Sequence, residues 1–301
     1  MKKYIGKSVD RGILFMFIAS IASASMGGFV KVVSQTLPSV EVVFFRNILG
    51  LIFVLISFYS IPLVQKGGKP WLLLFRGLMG FMALLSFFYL MAHIPLGEAV
   101  TYNATFPLFI ALFAFLFLKE RVHKAVVVAI ILGFTGIVFI AQPQGVAMDR
   151  YMILGLFSGM ATALSYTSVR ELRQFYDLRM IMLSFMGVGT ILPLVFMVLT
   201  PYLSLSNDWD WVFSTFQMPS GIEWGYLLAM GIFATLSQWF ITKAYELTKA
   251  GIVGVISYSN ILFSLIIGIA LGDDIPNMLT FLGIGLVIGS GVMVVLSKSD
   301  S

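Results

Sequence analysis

The amino-acid sequence predicts an all-α membrane protein: ten transmembrane helices in two inverted five-helix repeats around a central cavity. Three observations carry that expectation: the composition, a succession of long apolar runs, and a repeat between the two halves of the chain. Hydrophobic residues make up 59% of the chain and charged residues 11%, with a mean hydropathy of +0.98. A soluble domain carries roughly 25% charged residues, so this chain lacks the polar groups to cover a water-facing surface. The 28 Phe and 28 Gly suit lipid-facing bulk and close helix contacts. With no Cys and two His, disulfides and thiolate sites are excluded and little is left for a histidine metal site. No cofactor is expected.

A helix needs roughly 20 apolar residues to cross the hydrocarbon layer. Ten segments meet that requirement: about 12–33, 39–61, 71–92, 97–118, 124–142, 151–170, 179–201, 223–246, 251–271 and 276–296. They are too long and too uniformly apolar for the alternating strands of a β-barrel. The first follows Lys2, Lys3, Lys7 and Arg11 and contains Ala22-Ser23-Ala24, which resembles a cleavage site. Its apolar run continues to Val33, longer than a signal core, so an uncleaved first helix is expected. Eight of the ten Pro lie in connections or near helix ends, whereas Pro107 and Pro193 sit inside spans, where a missing N–H should bend the helix. The connections are short except 202–222, which carries Asn207, Asp208, Trp209, Asp210 and Trp211.

Orientation follows from the basic residues. With a cytoplasmic N-terminus, 16 of the 19 Lys and Arg, Arg76 among them, fall on the cytoplasmic side; the other three are Lys31, Arg46 and Arg150. The opposite connections carry Asp149, Asp208, Asp210, Asp273 and Asp274. The expectation is a multi-pass protein of the plasma membrane, the inner membrane of a bacterium, with both termini cytoplasmic. The +5 net charge is thereby a topology signal spread over short loops, and no nucleic-acid partner is implied. The lipid bilayer is the partner that the composition demands.

Each half holds five spans. A shift of about 152 residues brings Ala92–Ile140 over Ala244–Val292, with Gly133 over Gly285, and the acidic turn at Glu120 near Asp273-Asp274. Because five is odd, the second half must be inverted relative to the first, which is the architecture of many secondary transporters. The expected division is 1–142 and 143–301. Gly155/Gly159 and Gly285/Gly289 have the spacing of close helix packing.

The run FVKVVSQTLPSVEVVFFRNILGLI, residues 29–52, resembles the start of the EamA-type domain of the drug/metabolite transporter superfamily. In that domain the first helix ends near a basic residue and a Pro introduces a second helix bearing an Arg. The run IPLGEAVTYNATFPLFIALFAFLFLKERV, residues 94–122, resembles the fourth helix of the same domain, with Pro107 and Glu120 at its internal Pro and terminal Glu. The second repeat departs from the pattern: Ser259-Asn260 stands where Pro is usual, and Asp273-Asp274 replaces the Glu. The resemblance implies ten helices, a central cavity and alternating access. The Lys31/Arg46 pattern also resembles members that carry amino acids, riboflavin or S-adenosylmethionine.

Arg46 lies about seven residues into the second helix, roughly 10 Å deep at 1.5 Å per residue. A charge at mid-helix costs roughly 2.5–3.5 kcal/mol on insertion scales, so it should face a cavity or an acid. Its guanidinium can grip a substrate carboxylate or phosphate through two parallel hydrogen bonds; the alternative is an ion pair with Glu41. Lys31 is either a second anchor or a side chain snorkelling to the surface. Tyr102 and Asn103 in the fourth helix have counterparts in Tyr258 and Asn260 in the ninth, and these either bind one another or contact substrate. Tyr166, Gln238 and Trp239 are further cavity candidates, against the alternative of ordinary packing. Glu98 or His93 can take up protons, which makes the proton the candidate coupling ion. Glu120 with Arg121 reads as a cytoplasmic helix-end contact.

These features point to a secondary transporter of a small metabolite, amino-acid-like, vitamin-like or nucleoside-derived. The alternative is a membrane-embedded channel or enzyme without transport turnover. No phosphate-binding loop or nucleotide-binding domain accompanies the spans. Asp273-Asp274, the one adjacent acidic pair within the span-bearing region, lacks a nearby His for metal chemistry, so no enzymatic activity is expected.

Overall fold

In the computed structural model, residues 2–60, 66–118, 124–142, 149–203, 209–247, 253 and 256–297 are described. Among them the regular structure is helical: α1 (Lys2–Val33), α2 (Ser39–Ser60), α3 (Pro70–His93), α4 (Leu96–Asn103), α5 (Phe106–Leu118), α6 (Lys124–Ala141), α7 (Arg150–Leu172), α8 (Leu178–Leu199), α9 (Gly221–Leu247), α10 (Ser259–Ala270) and α11 (Met278–Ser297). A short 3-10 turn, Thr200–Tyr202, extends α8. Six helices have the length and apolarity to cross a membrane, and Val127–Ala141, Ser259–Ala270 and Met278–Met293 are shorter apolar segments. The chain is thus a multi-pass helical membrane protein.

The predicted fourth span is two helices. Pro107 has no N–H to offer the carbonyl of Asn103, and its ring crowds that carbonyl. Helix α4 accordingly stops at Asn103 and α5 restarts at Phe106. The corner is held by Thr105, whose N–H and hydroxyl both reach the carbonyl of Tyr102, at 3.2 and 2.6 Å. On the facing helix, a Cβ at Gly155 would lie 2.5 Å from the Tyr102 ring, and one at Gly159 would lie 2.4 Å from the Thr105 hydroxyl. This pair of small residues therefore seats the break. In the second half the chain turns at Tyr258 and α10 begins at Ser259, without a proline. Pro193 differs again: α8 runs through it from Leu178 to Leu199 without interruption.

The helix partners repeat between the halves. Helix α1 packs on α9 as α3 packs on α7, and α1 meets α10 as α7 meets α4 and α5. Three pairs join helices of matching position in the two halves: α2 with α8, α4 with α10, and α6 with α11. The last is the tightest. A Cβ at Gly136 would meet the carbonyl oxygen of Gly283 at 2.7 Å, and one at Gly283 would meet that of Gly136 at 2.6 Å. This corrects the glycine expectation for the last span. Gly285 and Gly289 have nothing within 4 Å; the contact belongs to Gly283 and Gly136, because helix rotation decides which glycine faces the neighbour.

Candidate functional site

Two ends of the bundle differ in charge. The basic end holds the connections after α2 and α7. There Lys69 pairs with Glu171, and the N–H groups of Lys66 and Gly67 both donate to the carbonyl of Phe175 at 2.9 Å. Asp177 caps α8 through the Arg179 N–H at 2.9 Å and pairs with the Arg179 side chain. The Arg179 guanidinium, and then its backbone N–H, hold the Asp177 carboxyl below the usual range. Glu120 and Arg121 lie outside the described residues.

At the acidic end, Lys31 pairs with Asp273 and donates to the carbonyl of Ile94 at 3.1 Å. The second oxygen of Asp273 accepts the Leu96 N–H at 2.8 Å. One carboxylate thus ties α1, the start of α4 and the turn after α10. Arg150 pairs with Asp210, which also accepts from the Tyr89 hydroxyl at 3.1 Å. The His93 ring stacks on Tyr89 with centroids 4.0 Å apart. A cavity of about 300 Å³ opens here, lined by Ser34, Thr36, Pro38, Tyr89, Asp210 and Gln217 among others. It contains none of the residues predicted to bind substrate. Buried Glu41 accepts the Gln217 N–H at 2.9 Å, and its other oxygen has no hydrogen-bond partner among the described residues; no ion pair with Arg46 is described.

Between the ends lies a different arrangement. Arg46 donates through Nη1 to Asn47 Oδ1 at 3.1 Å, and its Cζ stands 5.4 Å from the centroid of the Phe185 ring. Arg76 reaches the same ring, at 5.0 Å, and donates through Nη1 to the Ser165 hydroxyl at 2.6 Å. Both Nε atoms are buried without a hydrogen-bond partner, and among the described residues neither guanidinium has an acidic partner. Arg46 is seven residues into α2, Arg76 six residues into α3 and Phe185 seven residues into α8. Antiparallel α2 and α3 therefore send their arginines toward the middle from opposite ends, each starting about 10 Å in at 1.5 Å per residue. Phe185 holds in α8 the position that Arg46 holds in α2, and the two meet where those helices pack. A Cβ at Gly80 would lie 2.4 Å from Arg76 Nη1 and 2.7 Å from the Phe185 ring; only glycine leaves room for that stacking.

Arg76 is the residue that the sequence reading missed. Counted there with the cytoplasmic rim, it is buried in the bundle, 9% exposed. The available signal was its depth, six residues into a span, the same measure that singled out Arg46.

The other predicted residues divide. Tyr166, 51% exposed, lies within electrostatic reach of both guanidiniums and packs edge-on to Phe106 at 5.4 Å, next to the helix break. Asn103 donates to Ser158 and Thr162, each at 3.0 Å, and Tyr102 is buried against Gly155. Tyr258 and Asn260 do not meet Tyr102 or Asn103 through a described hydrogen bond; among the described residues the Tyr258 hydroxyl and Asn260 Oδ1 are buried without partners. Trp239 packs edge-on to Phe240 at 4.8 Å and near Phe15, and Gln238 is exposed beside it. Lys31 is held in its ion pair at the acidic end.

The structure is thus a bundle of apolar helices with charged ends and, among the described residues, two buried guanidiniums on one ring between them. The chain belongs to the EamA-like transporter family, whose model matches residues 10–142 and again 149–296. It is 33% identical to the pseudopaline exporter CntI of Pseudomonas aeruginosa, over 92% of this chain and 93% of that one. It is 29% identical to an uncharacterized transporter of Helicobacter pylori, over 95% of this chain and 94% of that one. A solved crystal structure superposes with a TM-score of 0.59 at 17% identity, covering 97% of this chain and 99% of the other, which is a likeness of fold.

Proposed function

We propose that this protein is a secondary transporter that moves a small, carboxylate-bearing metabolite across the plasma membrane by alternating access. The observation that carries the reading is Arg46. Its guanidinium sits inside the bundle, against Phe185 and Asn47, with no acid among the described residues to neutralise it. An intramembrane cation without an acidic partner marks a functional site, here read as a substrate anchor, and Tyr166 stands beside it as a second contact. Pairs that cross between the proposed halves, 1–142 and 143–301, support the alternating-access mechanism. Lys31–Asp273 ties them at the acidic end and Lys69–Glu171 at the basic end, and one set must open for substrate to enter and the other for it to leave. Proton coupling is assigned to Glu98 or His93 at the acidic end.

The test is uptake and counterflow of radiolabelled metabolites in proteoliposomes, with and without an imposed proton gradient. Arg46→Ala should lower the initial rate by at least about tenfold, the scale of one lost charge-assisted hydrogen bond, at an unchanged level of folded protein. Arg46→Lys should recover part of it, because an ammonium keeps the charge and loses the planar fork. Wild-type kinetics in the alanine variant would overturn the assignment. The proposed orientation places both termini in the cytoplasm and the 202–222 connection outside. In this Cys-free chain, an impermeant maleimide applied to intact cells should label a cysteine at Ser206 and spare one at Ser301; the reverse pattern would invert the topology.

A further inference from the structure

We infer that Arg46 and Arg76 together seat a substrate carrying two carboxylates, one for each guanidinium, so that the transported metabolite is a dianion. The inference rests on the transporter reading above and adds to it the substrate's charge and a second binding residue.

Charge balance comes first. Two guanidiniums approach one ring, with Cζ atoms 5.4 and 5.0 Å from its centroid, so their separation cannot exceed the sum of those distances. Like charges so close in a low-dielectric interior repel, and each has lost hydration. The Phe185 face offsets only about 0.5–2 kcal/mol per cation. Described salt bridges pair Lys31, Lys69, Arg150 and Arg179 with acids; among the described residues, Arg46 and Arg76 converge with none. A structural role would be served better by one arginine with a carboxylate than by two without.

Hydrogen bonding points the same way. Each guanidinium commits Nη1, to Asn47 or to Ser165. Those neutral partners fix the plane of the fork and leave its charge unspent. What remains on both is the Nε–Nη2 edge, with Nε lacking a partner on each. That edge is one of the two that grip a carboxylate through parallel hydrogen bonds. Two such edges on separate helices suit two carboxylates some bonds apart. Gly80 completes the design: its missing Cβ is what lets the Arg76 head lie on Phe185 beside Arg46.

The experiment uses the purified full chain in detergent and reads the thermal transition at constant ionic strength. The probes are succinate, glutarate, adipate, pimelate and suberate, the monocarboxylates of matching length, and inorganic phosphate. At least one dicarboxylate should raise the transition more than its monocarboxylate partner. Arg46→Gln and Arg76→Gln should each weaken its binding by at least about tenfold, the scale of one charge-assisted hydrogen bond. Arg76→Lys, which keeps the charge and guards against a folding defect, should retain an intermediate affinity. Gly80→Ala should also weaken dicarboxylate binding while leaving the charge count unchanged. The inference is overturned if no dicarboxylate exceeds its monocarboxylate, if phosphate matches the best dicarboxylate, or if Arg76→Lys and Arg76→Gln bind as wild type. Transport separates the two proposals. Arg46-dependent turnover of a monoanion, indifferent to Arg76→Lys, sinks the dianion seat and leaves the transporter standing. Dicarboxylate binding that survives in a protein showing no counterflow does the opposite.

Discussion

The acidic end and the middle of this bundle treat a buried cation in opposite ways. Lys31, 15% exposed at its side chain, is matched by Asp273, 10% exposed, and by the carbonyl of Ile94. Asp273 is in turn satisfied by the Leu96 N–H, so the local charge is closed. Arg46 and Arg76 share a ring and two neutral side-chain acceptors, and their charge is open. A closed pair holds helices in place, and removing one member leaves the other buried alone. An open cation is a cost that the folded protein bears until a ligand arrives. Stability and function are therefore expected to separate between the two regions.

The largest effect tests that separation directly. Lys31→Ala should cost about 3 kcal/mol of unfolding free energy, the scale of leaving a buried charge unpaired, measured by denaturant unfolding in detergent. The double variant with Asp273→Asn should cost less than the sum of the single changes. Arg46→Ala, by contrast, should leave unfolding free energy within about 1 kcal/mol of wild type, since a repulsion is relieved as the Asn47 and Phe185 contacts are lost. Equal destabilisation at the two sites would erase the distinction.

A smaller effect sharpens the same contrast among neutral groups. The break after α4 is satisfied, with Asn103 bonded to Ser158 and Thr162, whereas at the turn before α10 the side-chain oxygens of Tyr258, Ser259 and Asn260 have no partner among the described residues. Asn103→Ala should cost about 1 kcal/mol, within the range of hydrogen bonds between membrane helices. Asn260→Ala should be neutral to slightly stabilising in the same unfolding measurement. A larger loss at Asn260 would mean that its carbonyl oxygen has a partner in the folded state.

The smallest effect lies at the basic end. Lys69 and Glu171 are 40% and 50% exposed, and water screens such a pair, so Lys69→Ala should change stability by only about 0.2–1 kcal/mol. Its consequence should appear instead in transport, as a faster opening of that end in a counterflow assay. A change in stability as large as that for Lys31→Ala would show that exposure is the wrong measure of these pairs.

The membrane class and the succession of long apolar helices were set by the sequence alone. So were the repeat that the family model matches twice and a disturbed helix at Pro107, although the bend expected there is a full break and the equally internal Pro193 interrupts nothing. Hydrophobicity and the missing proline N–H are properties of single residues, and they add along the chain without knowledge of what packs where. Depth could be read in the same way, which is why Arg46 stood out. The rest depends on rotation and reach. Whether Gly283 or Gly285 touches α6 turns on which face α11 presents. Whether Lys31 is an anchor or half of an ion pair turns on where the turn after α10 folds. Arg76, six residues into its own span, looked like a rim residue while α3 was considered alone. Only the packing of antiparallel α2 and α3 against α8, with Gly80 leaving the space, brings its guanidinium to the ring that Arg46 already occupies.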